Sequence, residues 1–195
     1  AISGEYQIWI NDQAVTHFKD QFVYDHRNQL ANITSLLQKG QNTLRIEVTV
    51  QHDFDGIVDA LYLLGDFGIS FSPKDRPMIT TIEEMSVIKH GPYPSLPYYA
   101  GKISLKRTES LDTFPQSERF ILALRDLDEN VHDCLEVVVN GHSLGVRAWT
   151  PYQWEGPAFI LKEGENEIEV KVTNTLIGLL EGKSFDYGTH TLKVL

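Results

Sequence analysis

The chain has 195 residues, 42% of them hydrophobic, and a single cysteine, Cys134. That is enough apolar material for one large domain or two small ones, and one cysteine excludes an intrachain disulfide. With 17 basic against 27 acidic residues the net charge is −10, and no run of Lys or Arg stands out, so nucleic acid and an anionic membrane surface are poor partners.

The chain opens on Ala1 with no signal-peptide pattern, which suits a piece of a longer or processed polypeptide. No segment approaches the roughly 18 consecutive apolar residues of a membrane-spanning helix. Residues 6–10 predict a strand that runs into a tight polar turn at Asn11-Asp12. Asn32 is a candidate cap for one helical turn over 32–37. Gly40-Gln41-Asn42 then predicts a second tight turn. It launches a strand over 43–50, with Leu44, Ile46, Val48 and Val50 on one face and Arg45, Glu47 and Thr49 on the other.

Asp53, Asp55 and Asp59 follow. Three aspartates within seven residues offer hard oxygen ligands of the kind calcium takes, although EF-hand spacing and a closing Glu are missing. A solvated loop after the strand explains the same residues. Ser72-Pro73-Lys74-Asp75-Arg76-Pro77 has linker composition and sets the expected boundary between a partial β-unit over 1–72 and a complete one over 73–195. Another short turn is expected within 81–88. Tyr93, Tyr98 and Tyr99 are interleaved with Pro92, Pro94 and Pro97. Such a proline-braced loop either displays its rings to a ligand or opens the second unit.

Strands are predicted at 102–105, 120–124 and 135–139. Cys134, just before the last of these, reads as a small core residue. Asn140-Gly141 is the strongest hairpin signal in the chain, because a type I′ turn needs positive φ at both central positions. Arg147, Trp149, Tyr152 and Trp154 come next, with Gln153 and Glu155 beside them. Sugar rings stack their C–H faces on aromatic side chains, and their hydroxyls pair with guanidinium, amide and carboxylate groups. The competing reading packs Trp149 and Tyr152 against the fold, as large aromatics usually are. Gly164-Glu165-Asn166 launches a strand over 167–173 with Ile168, Val170 and Val172 inward, and 190–194 closes the chain as a strand.

The two halves repeat a phrase: a strand, an Asn turn, a loop, a Gly-x-Asn turn and an alternating strand. Asn140 follows Asn11 by 129 positions, and Asn166 follows Asn42 by 124. The helix signals are weak throughout, so the expected fold is all-β, an antiparallel sandwich.

Val139-Asn140-Gly141, Trp149-Thr150-Pro151-Tyr152 and Leu161-Lys162-Glu163-Gly164-Glu165-Asn166 together resemble the galactose-binding-like jelly-roll domains of large glycoside hydrolases. The sugar-binding domain of family 2 enzymes and the family 106 rhamnosidases are the nearest in pattern. Tyr98-Tyr99-Ala100-Gly101 is similar to the lead-in of such a domain. In the first unit, residues 32–37 and Gly40-Gln41-Asn42 match, whereas Phe22-Val23-Tyr24-Asp25 lacks the proline. The resemblance implies a non-catalytic accessory region that supports the catalytic domain of its parent polypeptide and in some cases binds carbohydrate, with no organic cofactor and with calcium possible.

Glycoside hydrolysis normally takes two carboxylates about 5–9 Å apart, and no motif singles out such a pair here. The seven histidines are scattered, without metal-ligand spacing, and His26 sits in a polar loop able to reach a neighbouring domain. The expected binding residues are therefore Arg147, Trp149, Tyr152 and Trp154, with Tyr98 and Tyr99. The expected metal residues are Asp53, Asp55 and Asp59. A structural or adhesion module of a cell-surface protein is the alternative function.

Overall fold

A computed structural model describes residues 1–20, 28–73, 76–84, 88, 93–125, 127 and 131–194. The chain divides into two compact units, Ala1–Gly65 and Asp66–Leu195. In the first lie β1 (Ile2–Ser3), β2 (Glu5–Ile10), β3 (Gln13–Ala14), β4 (Lys19–Asp20), β5 (Gln29–Leu30), β6 (Leu44–Thr49) and β7 (Gly56–Ile57). Strands β3, β2 and β6 form one antiparallel sheet in that order, and β1 pairs β7 while β4 pairs β5.

The second unit contains β8 (Gly68–Phe71), β9 (Pro77–Thr80), β10 (Lys102–Leu111), β11 (Arg119–Ala123), β12 (Cys134–Val139), β13 (His142–Arg147), β14 (Gln153–Pro157) and β15 (Gly164–Thr173). It ends with the short helix α1 (Ile177–Glu181) and the hairpin β16 (Lys183–Asp186) and β17 (Thr191–Val194). A four-stranded antiparallel sheet runs β10-β15-β12-β13, and β11 pairs β14 in a second sheet. Leu135, Val137 and Val139 of β12 and Val170 and Val172 of β15 meet Trp154 of β14, with Phe120 and Leu122 of β11 packed alongside. Two facing sheets with one shared apolar interior make this an antiparallel β-sandwich. Gly156 permits the close approach: a Cβ there would lie 2.8 Å from both Phe120 and Leu144.

The sequence repeat is a repeat of atoms. In unit 1 the Asn11 amide donates to Leu36 O (3.0 Å) and Asn42 Oδ1 (2.7 Å), and Asn11 Oδ1 accepts from Thr43 N (2.9 Å). In unit 2 the Asn140 amide donates to Ile160 O (2.8 Å) and Asn166 Oδ1 (2.8 Å), and Asn140 Oδ1 accepts from Glu167 N (3.0 Å). Asn42 clamps its own turn through Gln38 N, Gln38 O and Gly40 O; Asn166 does the same through Lys162 N, Lys162 O and Gly164 O. The strand registers agree as well. Ile10 lies opposite Leu44 and Tyr6 opposite Val48, as Val139 lies opposite Ile168 and Leu135 opposite Val172. Both hairpin turns have two residues at positive φ, Asn11 (48°) with Asp12 (64°) and Asn140 (49°) with Gly141 (81°), as a type I′ turn requires.

Several details differ from expectation. The turn after Asn32 is a 3₁₀ turn over Thr34–Leu36, with Thr34 N donating to Asn32 Oδ1 (3.0 Å). Described residues around the expected linker belong to a hairpin, in which β8 pairs β9 and Ser72 N donates to Arg76 O (2.9 Å). Residues 81–84 and 88 are not helical. Cys134 is half-buried at the start of β12. Among the described residues no helix is long and apolar enough to cross a membrane.

Candidate functional site

The β13–β14 connection and the outer face of the β11–β14 sheet form one site. Alternation sets it up: Phe120, Leu122 and Trp154 point into the sandwich, so Arg119, Ile121, Gln153 and Glu155 face out. Ile121 lies opposite Glu155, and Arg119 pairs its guanidinium with the Glu155 carboxylate. The connection adds Trp149, Thr150 and Pro151, with a cis Thr150–Pro151 peptide bond. Together with Arg147 these residues line a shallow recess of about 260 Å³. Arg147 closes one wall by donating from Nε to Gln153 O (3.1 Å). Trp149 is 74% exposed and Ile121 is 64% exposed, so the recess offers apolar surface to solvent beside a cation, an amide and a carboxylate.

Not all the expected residues share this role. Trp154 is 2% exposed and lies in the core, its indole N–H donating to Gly145 O (2.9 Å). Tyr152 is equally interior, and its hydroxyl donates to Asp133 O (2.9 Å) and Val131 O (3.3 Å). Neither ring is available for stacking on a ligand, because Trp154 takes the inward phase of β14 and Tyr152, just ahead of that strand, is buried with its hydroxyl held by the 131–133 backbone. Burial, and then the Asp133 carboxylate, push the Tyr152 phenol up. The same two causes push up that of buried Tyr93, whose hydroxyl is 3.4 Å from Asp133 Oδ2.

Tyr98 and Tyr99 are half-buried and do not line the recess. Tyr98 meets Phe71 edge-on at 6.3 Å. Tyr99 donates to Lys102 O (2.8 Å), and its carbonyl accepts from Asn174 Nδ2 (2.6 Å), which ties the start of β10 to the end of β15. These contacts are structural.

The three aspartates are not gathered into a cation site. Among the described residues no group of three His, Cys, Asp or Glu side chains is placed to hold a metal. Asp55 instead caps the loop after β6, with Oδ2 accepting from Gln51 N and His52 N (both 2.8 Å). Asp59 accepts from Ala60 N (2.7 Å), and Asp53 is exposed. The loop holding Phe22–Asp25 and His26 lies outside the described residues.

Sequence reasoning passed over Ile121. Its signal was present, since a large aliphatic residue out of phase with Phe120 and Leu122 must face solvent. Unit 1 has its own hollow of about 300 Å³, lined by Tyr6, Trp9, Val15 and Phe18 among others, with Arg45 stacked 4.1 Å over Trp9.

Unit 2 is thus an antiparallel β-sandwich with a shallow aromatic recess on the outside of its shorter sheet. No protein-family profile matches the chain, and no curated protein does. Among solved structures it is similar to a rhamnosidase from Novosphingobium sp. PP1Y, at 19% identity and a TM-score of 0.38 over 76% of this chain and 14% of that one. It is also similar to a β-D-glucuronidase from Dictyoglomus thermophilum, at 20% identity and a TM-score of 0.33 over 57% of this chain and 19% of that one. The chain therefore spans less than a fifth of either enzyme.

Proposed function

We propose that this chain is a non-catalytic accessory region of a bacterial glycoside hydrolase, a galactose-binding-like sandwich that supports the catalytic domain and contacts carbohydrate through the recess of unit 2. The observation that carries the binding part is the composition of that recess. An exposed indole is the surface on which a sugar ring stacks, and Arg147, Gln153 and Glu155 are the polar groups its hydroxyls would meet. Among the described residues Glu155 is the single carboxylate lining the recess, and it is engaged by Arg119. Hydrolysis by the usual two-carboxylate route finds no second group there among the described residues. Contact without turnover is what such a surface supports. The accessory role follows the Val-Asn-Gly, aromatic-x-Pro-aromatic and Gly-x-Asn pattern of the sequence.

A glycan array on the full chain tests the reading, followed by Trp149→Ala on any hit. Expected is glycan binding that Trp149→Ala weakens about two- to tenfold, one stacking contact being worth about 0.5–1.5 kcal/mol, with an unchanged melting temperature. Binding untouched by Trp149→Ala, or no binding to any glycan, contradicts the carbohydrate role. Turnover of chromogenic glycosides by the chain alone contradicts the non-catalytic one.

A further inference from the structure

The recess of unit 2 holds a cation that the protein leaves unanswered. With 27 acidic to 17 basic residues, carboxylates are plentiful in this chain. Arg45, Lys106, Arg119, Lys171 and Lys193 each pair with one. Arg147 differs. It stands exposed at the end of β13, and its Nε donates to Gln153 O (3.1 Å), which restrains the guanidinium at the wall of the recess. Among the described residues its two Nη groups meet no carboxylate and no other acceptor.

The rest of the lining does not cancel this charge. Glu155 is already neutralised by Arg119, which lies outside the lining, and Thr150 and Gln153 are neutral. Among the described residues the recess therefore presents an uncompensated positive charge beside the exposed Trp149. Beside the hollow of unit 1 the corresponding cation is engaged: Arg45 pairs with Glu47 (2.9 Å) and lies over the Trp9 ring. The parallel N–H groups of a guanidinium match the two oxygens of a carboxylate, and such charge-assisted bonds are about twice as strong as neutral ones. A sugar hydroxyl accepts from one donor and leaves the charge unmet.

Given that the recess contacts carbohydrate, as proposed above, we infer that its ligand class is acidic: a glycan carrying a uronate residue, stacked on Trp149 with its C6 carboxylate on the Nη groups of Arg147. Arg147 is then the specificity residue. Arg119 is a positioning residue, because its hold on Glu155 keeps that carboxylate from repelling the ligand's own.

The test is calorimetric titration of the full chain with oligosaccharide pairs that differ only at C6: glucose against glucuronate, galactose against galacturonate and mannose against mannuronate. Expected in at least one pair is a uronate member that binds at least about threefold tighter at about 0.02 M ionic strength, with the preference shrinking at about 0.5 M as the charges are screened. Arg147→Gln abolishes the preference. Arg119→Gln lowers uronate affinity at least about twofold and leaves the neutral member unchanged, which a purely structural role would not do. Salt and Arg119→Gln decide the matter should Arg147→Gln unfold. Neutral members that bind as well as uronates in every pair overturn the inference and leave the glycan reading standing. So does a preference that survives Arg147→Gln or ignores salt. If no member of any pair binds, the inference falls, and the glycan reading falls with it only when the array is silent too.

Discussion

Units 1 and 2 carry the same polar lock in different surroundings. Asn42 and Asn166 make equivalent hydrogen bonds, yet Asn42 is exposed and Asn166 is 2% exposed. Ile10 is the one buried hydrophobic residue of unit 1 among the described residues, whereas unit 2 gathers Leu135, Val137, Val139, Trp154, Val170 and Val172 around a common interior. Turn chemistry specifies the hairpins and their register on its own. Among the described residues a core forms where further strands, here β11 and β14, bring a second apolar face.

The sharpest way to break the contrast is to empty the filled unit. Trp154→Ala removes the largest fully buried side chain and strands the Gly145 carbonyl, and it should cost about 3–5 kcal/mol in chemical denaturation of unit 2. A cost under about 1 kcal/mol would mean that the interior is loosely packed.

The lock itself gives a matched pair. Asn166→Ala leaves part-buried partners unsatisfied at Lys162 and Asn140 and should cost about 3 kcal/mol. Asn42→Ala exposes the same groups to water and should cost about 1 kcal/mol or less. Equal losses in denaturant midpoints would remove the distinction between the units.

Alkali offers a smaller, reversible probe of unit 2. Tyr93 and Tyr152 are held neutral by burial and then by the Asp133 carboxylate, so their folded-state values lie above the ordinary 10.0. A raised folded value means that their contribution is whole below 10.0 and declines as pH climbs through it toward the folded value. Melting of unit 2 should be level between about pH 8 and 9 and fall by about pH 11. A flat profile across that range would show both phenols open to solvent.

At the bottom of the scale, Trp149→Ala should leave thermal stability within about 0.5 kcal/mol, since a residue 74% exposed contributes little packing. A larger loss would mark Trp149 as part of the fold and weaken its role as a stacking surface.

The sequence made the lock legible because its chemistry is local. Asn-Gly and Gly-x-Asn name their own φ angles and hydrogen bonds, and the all-β fold follows from the strands they launch. The phase of 153–157 was not legible in the same way. Trp154 and Glu155 are both plausible outward residues until β11 fixes which face is covered. Pro73 and Pro77 suggested a linker, but Pro77 sits at the first position of β9, where a missing N–H is tolerated, and the flanking residues form a hairpin. Helix α1 was missed because Gly178 lies inside it. Gly182 at φ 59° closes it, donating to Gly178 O (3.0 Å). The aspartates of 53–59 looked like ligands by spacing, yet Asp55 is spent on backbone amides of its own loop.

The comparison reduces to two equivalent amides. Glu47 N–H in β6 bonds β2 across from Gln7, and Lys171 N–H in β15 bonds β12 across from Glu136, at matching places in the repeat. Amide exchange of the full chain, followed as denaturant is raised, reports the opening energy at each. The account predicts that Lys171 opens at clearly higher free energy than Glu47. Equal opening energies, or a more protected Glu47, would contradict the claim that, among the described residues, one lock closes over a core and the other does not.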